Sequence, residues 1–172
     1  MPTIEELTAE VAALRRRVDA SEDILQLQAL KGRYGELLDG RYSGGSLVDQ
    51  AALVDIADQV AALFTVDAIW DGGPQLGVAA GREAIASRLR TPTLTFARHL
   101  FVKPQIRVDG DRATARWDLL CPCRIADGSS YWMCGYEDDT YIRTGDTWLQ
   151  QSMKLTTLFM SSVAKGWTRI LA

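Results

Sequence analysis

Leu63-Phe64-Thr65-Val66-Asp67-Ala68-Ile69-Trp70-Asp71-Gly72-Gly73-Pro74 is where this chain changes its periodicity. Upstream, apolar residues recur every three or four positions, as on one face of a helix. Downstream they alternate, and Gly-Asp or Asp-Gly pairs punctuate the runs. Asp67–Asp71 reads as a short strand closed by the Gly72-Gly73-Pro74 turn. Working back, the periodicity predicts helices over 47–64 and 22–39, and over Ile4, Leu7, Val11, Leu14 and Val18. Working forward, it predicts a short helix over 81–90, ended by Thr91-Pro92, and then strands at 95–103, 105–108, 112–124, 130–143 and 147–161. Asp109-Gly110-Asp111, Asp127-Gly128 and Thr144-Gly145-Asp146 lie between these runs and signal hairpins. The fold class is therefore α+β, with helices in the first half covering one face of a curved, mostly antiparallel meander.

The chain of 172 residues is long enough to bury a substantial core as one domain. Its composition, 47% hydrophobic and 24% charged, is that of a globular protein. A net charge of −3, with no local Lys/Arg run, leaves no electrostatic footprint for nucleic acid. No apolar run is long enough for a membrane span. Met-Pro-Thr-Ile-Glu-Glu lacks the apolar segment of a secretory signal, so a cytoplasmic location is expected. Cys121 and Cys123 share a strand face and Cys134 lies on the next strand. With a single histidine in the chain and no Cys-x-x-Cys pair, they read as small apolar residues rather than as a metal site.

The first apolar stripe, Ile4 to Val18, is a heptad pattern. That helix either packs on its own domain or pairs with a neighbouring subunit, and the second is expected. The Asp19-Ala20-Ser21-Glu22-Asp23 segment looks like a fresh start, with Ser21 as cap and acids in the first turn after it. Residues 1–20 are thus a possible oligomerising helix of a homo-oligomer, and 21–172 the single domain. Ala164 to Ala172 carries no pattern that assigns it to an element.

The second helix has a further stripe, Gln28, Gly32, Gly35 and Asp39. A glycine inside a helix costs about 0.5–1 kcal/mol relative to alanine. Two on one face imply that something comes close to the backbone there. Asp39 stands at the negative end of the helix dipole, unfavourable by roughly 0.3–1 kcal/mol. It needs a partner or a job. Arg33 or Arg41 could pair with it as a plain surface contact.

Leu63-Phe64, Asp67-Ala68-Ile69-Trp70, Gly77 and Gly81-Arg82-Glu83-Ala84-Ile85, taken in this order, resemble the SnoaL-like branch of the nuclear transport factor two-like superfamily. The resemblance spans roughly Asp23 to Phe159. It implies a cone-shaped fold whose helices and curved sheet enclose a pocket. It also implies chemistry of several kinds, because this scaffold carries dehydratases, isomerases, dehydrochlorinases and non-catalytic binders. In the dehydratase and dehydrochlorinase members a Tyr or Lys on the long helix is followed by an Asp, with a His on the strand after the short helix. Tyr34, Asp39 and His99 match those positions. An arginine common on the last long strand is replaced here by Lys154, at a slightly different offset from Trp148.

The resemblance thus implies His99, Asp39 and Tyr34 as catalytic residues, with no cofactor and a small apolar substrate. Trp117, Tyr136, Lys154 and Phe101 are expected to bind that substrate, and Met133, Met153 and Phe159 are candidate lining. Each has a plainer reading. His99 shares a face with Ala97 and Phe101 and could be a satisfied core histidine. Tyr34 lies on the apolar stripe of its helix. Glu137-Asp138-Asp139 reads as a solvated edge or a salt-bridge strip. The reaction expected is an elimination of the dehydratase kind, or an isomerisation, on a small apolar or polycyclic hydroxy or keto compound. A non-catalytic ligand- or partner-binding module is the alternative, for example one like the small subunit of ring-hydroxylating oxygenases.

Overall fold

One helix stands where two are expected. The structure, a computed structural model, describes residues 1–164. In it α1 runs without a break over Ile4–Gly40. Its start is set by a capping box: the Thr3 side chain accepts from the Glu6 N–H, and the Glu6 carboxylate accepts from the Thr3 N–H. Ser21 does not cap a new helix. Its hydroxyl donates to the Arg17 carbonyl one turn back, which lets a serine sit inside a helix. The segment 19–23 contains neither Gly nor Pro, so nothing in it breaks the backbone ladder.

A two-stranded ribbon follows, β1 (Tyr42–Ser43) with β2 (Ser46–Leu47), and then α2 (Gln50–Ala62). Asp49 caps α2 through the Ala52 N–H. Strand β3 (Phe64–Asp71) is longer than its sequence pattern predicts. It is followed by a single turn, α3 (Gly73–Leu76), and by β4 (Val78–Ala80), which folds back on β3; neither is predicted from the sequence. Helix α4 (Arg82–Arg90) lies where expected, tied to the start of β3 by Arg82 donating to the Phe64 carbonyl.

The remaining strands are β5 (Leu94–Ala97), β6 (Leu100–Asp109), β7 (Arg112–Ile125), β8 (Ser130–Thr144) and β9 (Thr147–Ser162). The sheet order is β4-β3-β9-β8-β7-β5, with β6 also on β7, and every pairing is antiparallel except β3 with β9. The β6–β7 and β8–β9 hairpins turn at Gly110 and Gly145, whose positive φ of 57° and 62° favours glycine.

The break between β5 and β6 falls at Arg98-His99 rather than at Pro104, which sits in an irregularity inside β6. The cause lies on the facing strand. The Arg98 N–H donates to the Pro122 carbonyl at 3.1 Å, but proline has no N–H to return. The ladder therefore ends there, and the next amide, His99, is free to find another partner.

The sheet curls strongly into a half-barrel, and the helices close its concave side. Tyr34, Leu38, Ala57, Val60, Phe64, Trp70, Ile85, Leu89, Leu119, Cys121, Met133, Met153 and Leu155 belong to the larger buried cluster. A second cluster, Leu27, Ala113, Ala115, Trp117, Tyr141 and Trp148, lies where α1 first meets the sheet. Residues 165–172, and with them nearly all of the tail left without an element, fall outside the described residues. Among the described residues no helix is long and apolar enough to cross a membrane.

Candidate active site

Asp39 and His99 meet. Asp39 reaches the site because α1 runs one residue past it, to Gly40. His99 reaches it because the strand breaks beneath it. The Oδ1 atom of Asp39 accepts from the His99 backbone N–H at 2.9 Å and lies 2.8 Å from ring Nδ1. A carboxylate offers no proton, so Nδ1 carries the hydrogen and Nε2 holds the lone pair. Arg98 reaches Oδ2 at 3.2 Å. Arg33, by contrast, binds Gln59 on α2, and Arg41 turns its Nε to the Leu38 carbonyl. Three donors from the strand break thus answer the charge that the helix end disfavours.

The pair is nearly shut off from solvent, with side chains 9% and 7% exposed. Burial lowers the His99 pKa below the usual 6.5, outweighing the pull of Asp39, while Arg41 and Lys31 push the same way as burial. The imidazole is therefore neutral at neutral pH, as a proton acceptor must be. Its ring stacks on Phe101, centroids 6.0 Å apart and 21° from parallel.

Tyr34 faces the same cavity. Its oxygen accepts from the Trp70 indole at 3.1 Å, so the phenolic hydrogen remains to be donated. Burial first, then the nearby Glu137, raises its pKa well above 10, so it stays protonated. The cavity beside these groups measures about 50 Å³ and includes Tyr34, Arg41, Tyr42, Trp70, His99 and Glu137 in its lining. An adjoining chamber of about 200 Å³ is mostly apolar, with Cys123, Ile125 and Met160 in its wall beside Gln75 and Thr157. The two share Leu76, Thr93, Leu94, Met133 and Leu155.

The other expected residues scatter. Met133 and Met153 line the cavity, whereas Phe159 does not. Phe101 touches the site from behind, between His99 and Tyr34. Trp117 does not reach the cavity: it is buried in the second cluster, donating to Tyr141 at 3.2 Å. Tyr136 and Lys154 lie on the opposite face of the sheet. Strand parity decides this, because Met133, Glu137, Met153 and Leu155 take the inner positions of β8 and β9. Tyr136 is covered by the Arg116 guanidinium at 4.1 Å, and Lys154 is exposed.

Parity also divides the acidic run that reads as a solvated strip. Asp138 points out, to Arg116 at 2.7 Å, but Glu137 and Asp139 are buried. Lys31, 1% exposed, bonds both, reaching Asp139 at 2.8 Å. Tyr141 donates to the same Asp139 at 2.7 Å. Burial and the neighbouring Asp139 push Glu137 up to about 6, while the two carboxylates hold Lys31 charged.

Sequence reading misses Glu137, Arg41 and Arg88 as cavity residues. Alternation along β8 could have found the first; the arginines are placed by loop and helix ends that no periodicity describes. Among the described residues no three His, Cys, Asp or Glu side chains gather as metal ligands would. Cys121 and Cys123 are buried, Cys134 half-buried, and all are free thiols.

The profile of the SnoaL-like domain matches residues 19–154. No curated protein sequence matches the chain. Among solved structures, the hexachlorocyclohexane dehydrochlorinase LinA-type3 from Novosphingobium barchaimii superposes with a TM-score of 0.69 at 16% identity, over 86% of this chain and 94% of its own. A candidate scytalone dehydratase from Novosphingobium aromaticivorans gives 0.67 at 19% identity, over 83% and 88%. An NTF2-like protein with a cystatin-like fold from the same species gives 0.61 at 22% identity, over 92% of each chain.

Proposed function

The chain belongs to the SnoaL-like domain family, and on that premise we propose that it is a cofactor-independent lyase, eliminating water from a small apolar hydroxy-keto compound. The observation that carries the reading is the doubly held imidazole. Asp39 binds both the backbone N–H and Nδ1 of His99, which fixes the ring's position and its tautomer together. Nε2 is left as the base. That two of the structural neighbours are named as a dehydrochlorinase and a candidate scytalone dehydratase, both elimination enzymes by name, supports the same class.

Nε2 takes a proton from the carbon beside the substrate carbonyl, and the electron pair becomes the new C=C bond. The C–O bond to the β-hydroxyl breaks, and the hydroxyl leaves as water with the proton returned by the imidazolium. Tyr34 donates to the carbonyl oxygen as it gains enolate charge, and the Arg41 guanidinium in the same lining adds positive potential there. Isomerisation follows if the proton returns to a different carbon. The two chambers suit a compound with its polar end at His99 and an apolar ring beyond, since cavities of roughly 150 Å³ take up benzene.

A panel of cyclic β-hydroxy ketones, followed by the absorbance of the conjugated enone, tests the proposal. Parent protein should turn over at least one of them. His99→Ala and Asp39→Asn should each lower kcat by about 10²–10⁴-fold, the usual range for a general base. The double variant should be hardly slower than either, because the two act as a unit. Tyr34→Phe should cost less than His99→Ala. Turnover that survives His99→Ala would sink the mechanism. Saturable binding of the panel without turnover by the parent would instead favour the non-catalytic module.

A further inference from the structure

The first five turns of α1 stand clear of the domain's other described residues. From Ile4 to Glu22 every residue is exposed except Ala13, which is half-buried. At about 1.5 Å per residue this is an arm on the order of 30 Å. Domain contact begins at Asp23, which accepts from Arg143 and from the Trp148 indole, and continues with buried Leu27. Yet the arm is not polar all round. Ile4, Leu7, Val11, Leu14, Val18 and Leu25 form one row, 85%, 46%, 48%, 48%, 54% and 63% exposed.

We propose that this row is the seam of a parallel two-stranded coiled coil between two copies of the chain. With Ile4 as position a of a heptad, the a positions are Ile4, Val11, Val18 and Leu25, and the first d positions are Leu7 and Leu14. β-Branched residues at a with leucine at d favour two parallel strands over higher assemblies. The flanking e and g positions agree. Side by side in parallel, Glu10 of one copy meets Arg15 of the other, Arg17 meets Glu22, Thr3 meets Thr8, and Ile24 meets Ala29. Every charged pair is attractive. An antiparallel pair would keep only Glu10 against Arg17.

The domain leaves this face open. Asp23, Leu27 and Leu30, through which α1 is anchored, fall at f, c and f, on the side away from the seam. Length is the usual objection to so short a coil, because a free helix must first be nucleated. Here the helix already exists, capped at Thr3 and seeded by the docked turns after Asp23.

Sedimentation of the full chain over a hundredfold range of concentration should show twice the 19.0 kDa chain mass. Val11→Asp with Leu14→Asp should reduce it to a single chain. Glu10→Arg alone and Arg15→Glu alone should each weaken the dimer. The double variant should restore it, because exchanging the two charges re-creates an attractive contact only in the parallel arrangement. Ser21→Cys, at a d position, should cross-link two copies on oxidation where the parent does not. A parent that sediments as 19.0 kDa throughout would overturn the proposal. So would an assembly that survives Val11→Asp/Leu14→Asp, a charge swap that fails to rescue, or Ser21→Cys chains that stay unlinked. None of these readouts depends on turnover, so they stand apart from the test of the lyase reading.

Discussion

Asp39 stands where a helix repels negative charge, and His99 stands where a strand has lost its partner; each supplies what the other lacks. The pH response of the pair follows from burial. The His99 pKa in the folded chain lies below its unfolded value of about 6.5. The proposed base is neutral above the folded value, so activity should already exceed half of its maximum at pH 6.5 and fall on the acid side, with its midpoint below 6.5. An acid limb above 6.5 in kcat/KM would contradict this assignment. Stability moves in the same sense, since around and below pH 6.5 the unfolded chain binds the proton more readily. The loss of stability on going from pH 6.5 to 5 should therefore be smaller in His99→Gln than in the parent. Glu137 acts oppositely: raised from 4.5 to about 6, its contribution is present below 4.5 and lost as pH rises through 6. Asp39 was legible in sequence because it sets a charge against a helix dipole; His99 was legible only with the resemblance beside it, since a lone histidine on an apolar strand face reads equally as core. Glu137 and Arg41 break no local rule: the first is carried to the cavity by the alternation and curl of β8, the second by the end of α1.

At the scale of elements, the two glycines of α1 are not equivalent. A Cβ at Gly32 would meet nothing within 4 Å, whereas one at Gly35 would stand 3.3 Å from the Phe101 ring. Gly32→Ala should raise stability by up to ~1 kcal/mol through helix propensity alone. Gly35→Ala gains the same propensity but pushes on Phe101, and through it on His99, so it should lose activity. Equal gains in Tm with full activity in both would show that the approach of β6 to α1 is slack. Helix and sheet are also joined by Lys31, set between Glu137 and Asp139. Lys31→Met would leave two carboxylates buried without a cation and should cost about 3–5 kcal/mol in denaturant unfolding. A loss under ~1 kcal/mol would mean that water or rearrangement takes over the role of Lys31. The long hairpins were readable because a glycine-bearing turn and strict alternation are both local. The strand break at Arg98-His99 was not, because its cause, Pro122, lies on the facing strand. The continuous helix was misjudged for a related reason: Ser21 and its acids look like a cap in isolation, but a serine can equally bond back along its own helix.

For the molecule as a whole, the arm and the domain should behave as separate stability units. A chain beginning at Ser21 loses no contact with the domain's described residues, so it should melt at the temperature of the full chain measured dilute. The Tm of the full chain should rise with concentration, as it does for any protein stabilised by self-association, while that of the shortened chain stays constant. A shortened chain that fails to fold would show that the arm contributes within its own subunit. The order in which the wall of the cavity is assembled follows from the single parallel pairing. Strand β3 lies between β4 and β9, and β9 is the last of the described strands along the chain. On the ribosome, at about 5–20 residues per second, β3 is complete on the order of ten seconds before its neighbour emerges. In that interval its edge is open, a template for pairing with any extended chain nearby. Met153 and Leu155 arrive with β9, so the cavity gains its last wall only when that edge is covered. The nascent chain is thus most prone to mispair while it is still unable to hold a ligand that would steady it.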